Sequence, residues 1–247
     1  TWLDSEQGCT GPRAICQADK YVAYVAQDGI RFTDLNTSVI ATERLIPSWN
    51  NINKRRLNQA AVVYWRNYLL AALPENGSTV NNVVWAFDFL RNAWAIYRGW
   101  NVSAWTKFQQ YGEEILLAAD SMTGQVYQVM TDRYDDSIPV TYKWRSKEFH
   151  FGFPERYKLF RNIYLDIEGA VEESELAVTL YVDGEARGTY RTTIPAGEGV
   201  KHVRRILPPL YNAVLGRQIS IGIEGRCGIQ AVHIEYIIRG AVPGGDL

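Results

Sequence analysis

The sequence is poor in the residues and patterns on which most catalytic and membrane assignments rest. Cysteine is scarce: Cys9, Cys16 and Cys227 are the only three in 247 residues. That is too few for a disulfide scaffold, and an odd number leaves one thiol free. None is spaced with a second Cys or a His as in a zinc site, so they read as buried or partly buried thiols of a chain folded in a reducing cytosol. His150, His202 and His233 are scattered, with neither HxH nor HxxxH spacing. No apolar run approaches the roughly twenty residues that span a bilayer, and no signal-peptide pattern opens the chain. Membrane insertion is therefore not expected. An excess of one charge is lacking too: 26 Lys and Arg against 27 Asp and Glu leave a net charge of −1. Nothing in that balance forces a nucleic-acid or anionic-membrane partner. The chain opens on Thr1 rather than Met, which reads as a processed, trimmed or partial product.

Catalytic motifs are missing as a class. There is no GxSxG elbow for a hydrolase serine and no GxGxxG or GxxxxGK[ST] loop to cradle phosphates. Two sparse candidates exist. Asp88 and Asp120 both fall near strand ends and would have the residue types of a glycosidase carboxylate pair, although Asp at a strand end commonly just starts a turn. The acidic turn of Asp132, Arg133, Tyr134, Asp135 and Asp136 offers hard oxygen ligands for Ca²⁺, but lacks EF-hand spacing and reads first as a solvated turn. Together these features predict no enzyme, no cofactor and no metal.

What is present is core material and aromatics. Hydrophobic residues make up 47% of the chain and charged ones 21%, which excludes a disordered polymer. Eight Trp and fifteen Tyr favour strands, where rings pack on a half-buried pleated surface. Helical periodicity is scarce; residues 45–57 (LIPSWNNINKRRL) form the one plausible short helix. Elsewhere short apolar runs are separated by Gly, Asn, Asp and Pro turns, the rhythm of sandwiches and propellers.

Strands are expected at 21–26 and 30–35, hinged at Asp28–Gly29. A four-stranded unit follows at 59–65, 68–73, 82–88 and 93–98, the size of one propeller blade. Residues 100–107 read as a connector, and 114–130 as the start of another blade. The first half thus holds parts of about three blades, where closed propellers need about four to eight. From residue 140 the texture changes: a strand is expected at 140–144, then strands at 144–150, 159–168, 175–182, 186–193, 201–207, 218–224 and 230–239, several of them cleanly alternating, with a hairpin turn at Asp183–Gly184. That half reads as a jelly-roll-like β-sandwich. The expected fold is all-β: an incomplete propeller-like domain over 1–137, a sandwich over 138–247, and residues 115–158 as the hinge between them.

Several side chains are candidate contacts. Trp100 and Trp105 lie in a loop-like stretch (GWNVSAW) and could stack on a sugar or fill a subunit pocket. Lys54, Arg55 and Arg56, and Lys201 with Arg204 and Arg205, could touch phosphates or an acidic neighbour, or simply be solvated. Asn-x-Ser/Thr sequons at Asn36, Asn76 and Asn101 matter only in a eukaryotic secretory pathway.

Read in order, WAFD (85–88) with Trp94 and Gly99, GQVYQ (124–128), FHFGFPERYKLFRN (149–162), LYVDG (180–184), GRQISIGIEG (216–225) and IEYIIR (234–239) resemble tailed-bacteriophage virion proteins of the tail and neck. The resemblance runs from about Gly29 onward. It implies a β-propeller followed by a β-sandwich, and a tail-nozzle or packaged-DNA-retaining part that does no chemistry. It also implies a homo-oligomeric, hexameric ring with neighbouring tail or neck proteins, close to phage DNA. Such a part is made in the host cytoplasm and resides in the virion. Two readings from other classes stand beside it: a carbohydrate-binding adhesin that uses Trp100 and Trp105, and a glycan-degrading enzyme that uses Asp88 and Asp120.

Overall fold

The runs YLLAAL (Tyr68–Leu73) and VVWAFD (Val83–Asp88) do not alternate polar with apolar, and the structure gives the reason: their sheet is buried on both faces. The computed structural model describes residues 7–131, 134–135, 138–167, 172–197, 203–206 and 214–239. The chain divides into two compact units, Thr1–Asp132 and Arg133–Leu247.

In the first unit β1 (Ile15–Ala18), β2 (Tyr21–Val25), β3 (Ile30–Thr33) and β4 (Ser38–Ile40) form one antiparallel sheet in chain order. The second sheet is β5 (Ala61–Trp65), β6 (Tyr68–Leu73), β7 (Val83–Asp88) and β8 (Ala93–Arg98), and the third is β9 (Val102–Gln110), β10 (Glu113–Asp120) and β11 (Val126–Val129). Successive side chains of a strand point to opposite faces. Val62, Leu69, Ala71, Leu73, Trp85 and Phe87 therefore join Ala23, Val25 and Ile30 of the first sheet in one cluster. Ala61, Val63, Leu70, Ala72, Val84 and Ala86 join Val102, Leu116 and Ala118 of the third sheet in another. The three sheets are stacked face to face, with the second in the middle.

Aromatic rings fill the cluster between the first two sheets. Trp85 meets Trp49 edge-on at 5.6 Å and Trp94 at 6.1 Å, and Phe87 packs on Phe32 at 5.5 Å. Such pairs each add about 0.5–1.5 kcal/mol beyond the area they bury.

Two local expectations are corrected. Residues 45–57 are not one helix: a 3₁₀ turn (Glu43–Leu45) runs into the four-residue α1 (Ile46–Trp49), and a second 3₁₀ segment covers Lys54–Gln59. Asn53 breaks the helix because its N–H is bound to Pro74 O and its side-chain amide to Ser78 O. Residues 102–107 are not a connector but the first part of β9. Gly29 also has a reason other than a left-handed turn: a Cβ there would lie 2.5 Å from Thr42 Oγ1, which accepts the Ile30 N–H. At Asp183–Gly184 the turn is left-handed as expected, with φ of 52° and 84°.

The second unit begins with the two-residue strands β12 (Tyr134–Asp135) and β13 (Ile138–Pro139). β14 (Tyr142–Arg145), β15 (Lys158–Ile167), β16 (Ser174–Val182), β17 (Glu185–Ile194), β18 (Val203–Ile206), β19 (Val214–Gly216), β20 (Ile219–Gly225) and β21 (Ile229–Ile238) follow. One antiparallel sheet runs β14-β20-β16-β17; in the other β18, β19 and β21 all pair with β15. The strand expected at 140–144 is β14, and the one expected at 144–150 does not form: beyond Arg145 the chain makes an isolated bridge from Phe149 to Ile219. Alternation places Ile163, Leu165 and Ile167 of β15 against Leu176, Val178, Leu180 and Val182 of β16 in a single cluster. Among the described residues the protein is all-β apart from short helical turns, in antiparallel sheets of which none closes.

Candidate functional site

Asp88 and Asp120 are turn locks. Asp88 Oδ1 accepts the N–H groups of Leu90 (2.9 Å) and Arg91 (3.1 Å), while Oδ2 pairs with the Arg91 guanidinium at 2.7 Å. Asp120 Oδ1 accepts from Met122 (2.6 Å) and Thr123 (2.8 Å). The Arg91 bond holds the Asp88 carboxyl below its ordinary value, and the Thr123 N–H does the same for Asp120. A glycosidase acid needs the opposite shift, a carboxyl kept protonated near neutrality.

Trp100 and Trp105 do not sit in an open loop. The Trp100 ring stacks on Tyr97 at 5.2 Å, and Trp105, on β9, donates from Nε1 to Ala61 O at 3.1 Å. Both are half-buried against the cluster shared by the second and third sheets. Lys54, Arg55 and Arg56 are exposed together on the 3₁₀ segment. His202, Lys201 and, of the acidic turn, Asp132, Arg133 and Asp136 lie outside the described residues; Tyr134 and Asp135 form β12 and Arg204 and Arg205 lie on β18, with their side chains not described. His150 Nδ1 accepts from Gly152 N, and His233 Nε2 lies 3.0 Å from Asp166 Oδ2.

Among the described residues no group of three or more His, Cys, Asp or Glu could hold a metal ion. No described helix is long and apolar enough to cross a membrane. All three thiols are free. Burial pushes Cys16 up to about 11 and raises Cys227 as well, so neither carries the thiolate that nucleophilic chemistry requires.

Sequence reasoning missed two buried charges. Glu75, almost wholly buried, takes a two-bond contact from the Arg98 guanidinium, both bonds at 3.1 Å. Lys158, fully buried at the start of β15, donates to Phe153 O (2.6 Å), Arg156 O (2.9 Å) and Arg217 O (2.7 Å). Burial lowers its pKa, partly offset by the Glu155 and Asp183 carboxylates. Both groups are satisfied internally and tie loops to sheets.

The third sheet offers the most conspicuous surface. Its register puts Leu116 opposite Lys107 and Val129, and Ala118 opposite Trp105 and Tyr127, on the inward face. The outward face then carries Ala104, Phe108, Ile115, Leu117, Ala119 and Val126, with the polar Thr106 and Gln128 flanking Leu117. Phe108 is 54% exposed and Val126 63%, and Met122 in the neighbouring turn is exposed as well. Exposed apolar area gathered on one sheet face marks interaction sites. Alternation in 104–119 contains this signal, but only knowledge of which face is buried identifies it. Comparison of the sequence with protein-family models and with curated proteins finds no match.

Proposed function

We propose that this chain is a structural component of a tailed-bacteriophage virion, a nozzle or DNA-conduit ring of the tail or neck that works by assembling copies around the DNA path. On this reading the three sheets of the first unit are propeller-type blades and the second unit is a jelly-roll-like sandwich. The observation that carries the proposal is the face-to-face stacking of three successive antiparallel sheets. Blades stack this way around a propeller axis. A stack of sheets has two open ends, and the apolar outer face of the third is suited to cover by a neighbour.

A net charge of −1 fits a conduit through which DNA must slide, because each neutralised phosphate adds salt-dependent binding. The exposed Lys54, Arg55 and Arg56 are then local contacts rather than a DNA-gripping surface. The adhesin reading needs Trp rings free to stack on sugars, and Trp100 and Trp105 are already engaged inside the fold. The test is negative-stain imaging of the purified chain, alone and with neighbouring tail proteins. Rings with a central hole support the conduit; particles that bind a glycan array and never form rings overturn it.

A further inference from the structure

Natural sheets protect their open edges with charge, proline or a bulge. The edge at β11 has neither charge nor proline: residues 121–131 (SMTGQVYQVMT) contain no Asp, Glu, Lys, Arg or Pro. Several other edges carry charge, with Arg98 on β8, Lys143 and Arg145 on β14, and Glu185, Arg187 and Arg191 on β17, while β1 and the three-residue β4 share the lack of it. Among the described residues β11 pairs only with β10, and the sheet it ends has three strands where the two before it have four.

The hydrogen-bonding direction along β11 follows from its register. Asp120 N donates to Gln125 O at 2.9 Å, and Ala118 and Leu116 stand opposite Tyr127 and Val129. Backbone groups of an antiparallel strand alternate between its two neighbours. The Gln125 C=O and the N–H and C=O groups of Tyr127 and Val129 are therefore spent on β10, the Gln125 N–H going to Thr123 Oγ1, while the groups of Val126 and Gln128 face outward.

We propose that β11 is a self-association edge: a second copy of this chain adds its own β11 antiparallel, about a two-fold axis through Tyr127, so that two sheets become one. In this register Val126 of one copy and Gln128 of the other exchange both backbone bonds, and the axis repeats the exchange. A slip of one residue faces inward-turned groups against outward ones, and a slip of two leaves one exchange unmade. The occupant is a second copy because the edge is electrostatically self-compatible. A two-fold axis brings like residues close together, and like charges directly opposite are destabilising; this edge has none. Pairing also shelters Val126 and brings the two outward apolar faces into one. This goes beyond the conduit reading, which gives the β11 edge no partner.

The test is a cysteine scan of the full chain in a Cys9→Ser background, which removes the exposed native thiol, with oxidised glutathione as oxidant. Tyr127→Cys should become a disulfide dimer on non-reducing gels. Its two copies form a non-hydrogen-bonded pair about 4.5 Å apart, within the roughly 4.4–6.8 Å that a disulfide spans. Val126→Cys, whose two copies are offset along the strands by about two residues or roughly 7 Å, should stay monomeric on the same gel. Gln128→Pro removes an outward N–H without touching β10, and should weaken dimerisation in sedimentation by roughly tenfold or more. Equal cross-linking of Tyr127→Cys and Val126→Cys, or a monomer at every concentration, overturns the proposal. Rings without a Tyr127→Cys cross-link also overturn it and leave the conduit reading standing. A cross-linked dimer that forms no ring supports the edge and removes the conduit reading.

Discussion

Replacing Lys158 by Met tests whether the second unit depends on a charge that no sequence pattern announces. The ammonium is fully buried and donates to three carbonyl oxygens, those of Phe153, Arg156 and Arg217. Met keeps the unbranched stem and supplies no donor. Phe153 O also accepts the Arg156 N–H at 3.3 Å, so the change leaves the Arg156 and Arg217 carbonyls unpaired; at the lower figure of about 1 kcal/mol for each such acceptor the loss is about 2 kcal/mol. Relief from desolvating the charge works in the other direction, and the carbonyls hold the loss above zero. Lys158→Arg should rescue little, because a planar fork of five donors does not fit a site built for a compact ammonium. The assay is urea unfolding followed by far-UV circular dichroism, with hydrogen exchange of peptides from β15 and β21. The expected outcome is a lower midpoint and faster exchange in both strands. A loss below about 0.5 kcal/mol, the level of an ordinary surface substitution, with exchange in β15 unchanged, would refute the reasoning.

Three further outcomes are expected. Asp28, Asp34, Asp88 and Asp120 all have carboxyls lowered from the ordinary 3.8, Asp28 and Asp88 first by Arg31 and Arg91, Asp34 and Asp120 first by backbone N–H groups. Their stabilisation is fully present above 3.8 and is lost as pH falls through the lowered folded values; thermal melts across acid pH should show it, and Asp→Asn changes at these sites should flatten the slope. Trp85→Ala should cost about 3–5 kcal/mol in the first unit. Trp85→Phe should cost clearly less, since the buried Trp85 Nε1 has no hydrogen-bond partner among the described residues; chemical denaturation of both variants decides this. Trp105→Ala should lower stability by about 2–3 kcal/mol through lost packing and the lost hydrogen bond to Ala61 O, with no change on a glycan array; unaltered stability together with lost glycan binding would favour the adhesin instead.

The parts of the fold legible in the sequence are those where one physical signal dominates. Strands β5 to β8 announce themselves by dense apolar residues between Arg-Asn and Asn-Gly turns, and β15 and β16 by strict alternation over one buried face. Where signals compete, the reading fails. Asn101 and Ser103 look like loop residues, yet the second is in β9 because its hydroxyl reaches Ala119 O and the strand pairs with β10 along its length. Residues 45–57 carry a helical period, but Pro74 and Ser78, distant in sequence, capture Asn53 and end the helix. Asp88 and Asp120 were legible as turn formers because Asx bonding is local. Lys158 was not, because its acceptors come from two separate loops.

The measurement that bears most directly on the central proposal is the solution mass of the purified chain by light scattering, with negative-stain images of the same peak. The conduit reading predicts a multiple of the 28.1 kDa chain and particles with a central hole. A monomer at every concentration, carrying glycan affinity that Trp100→Ala or Trp105→Ala abolishes, would contradict it.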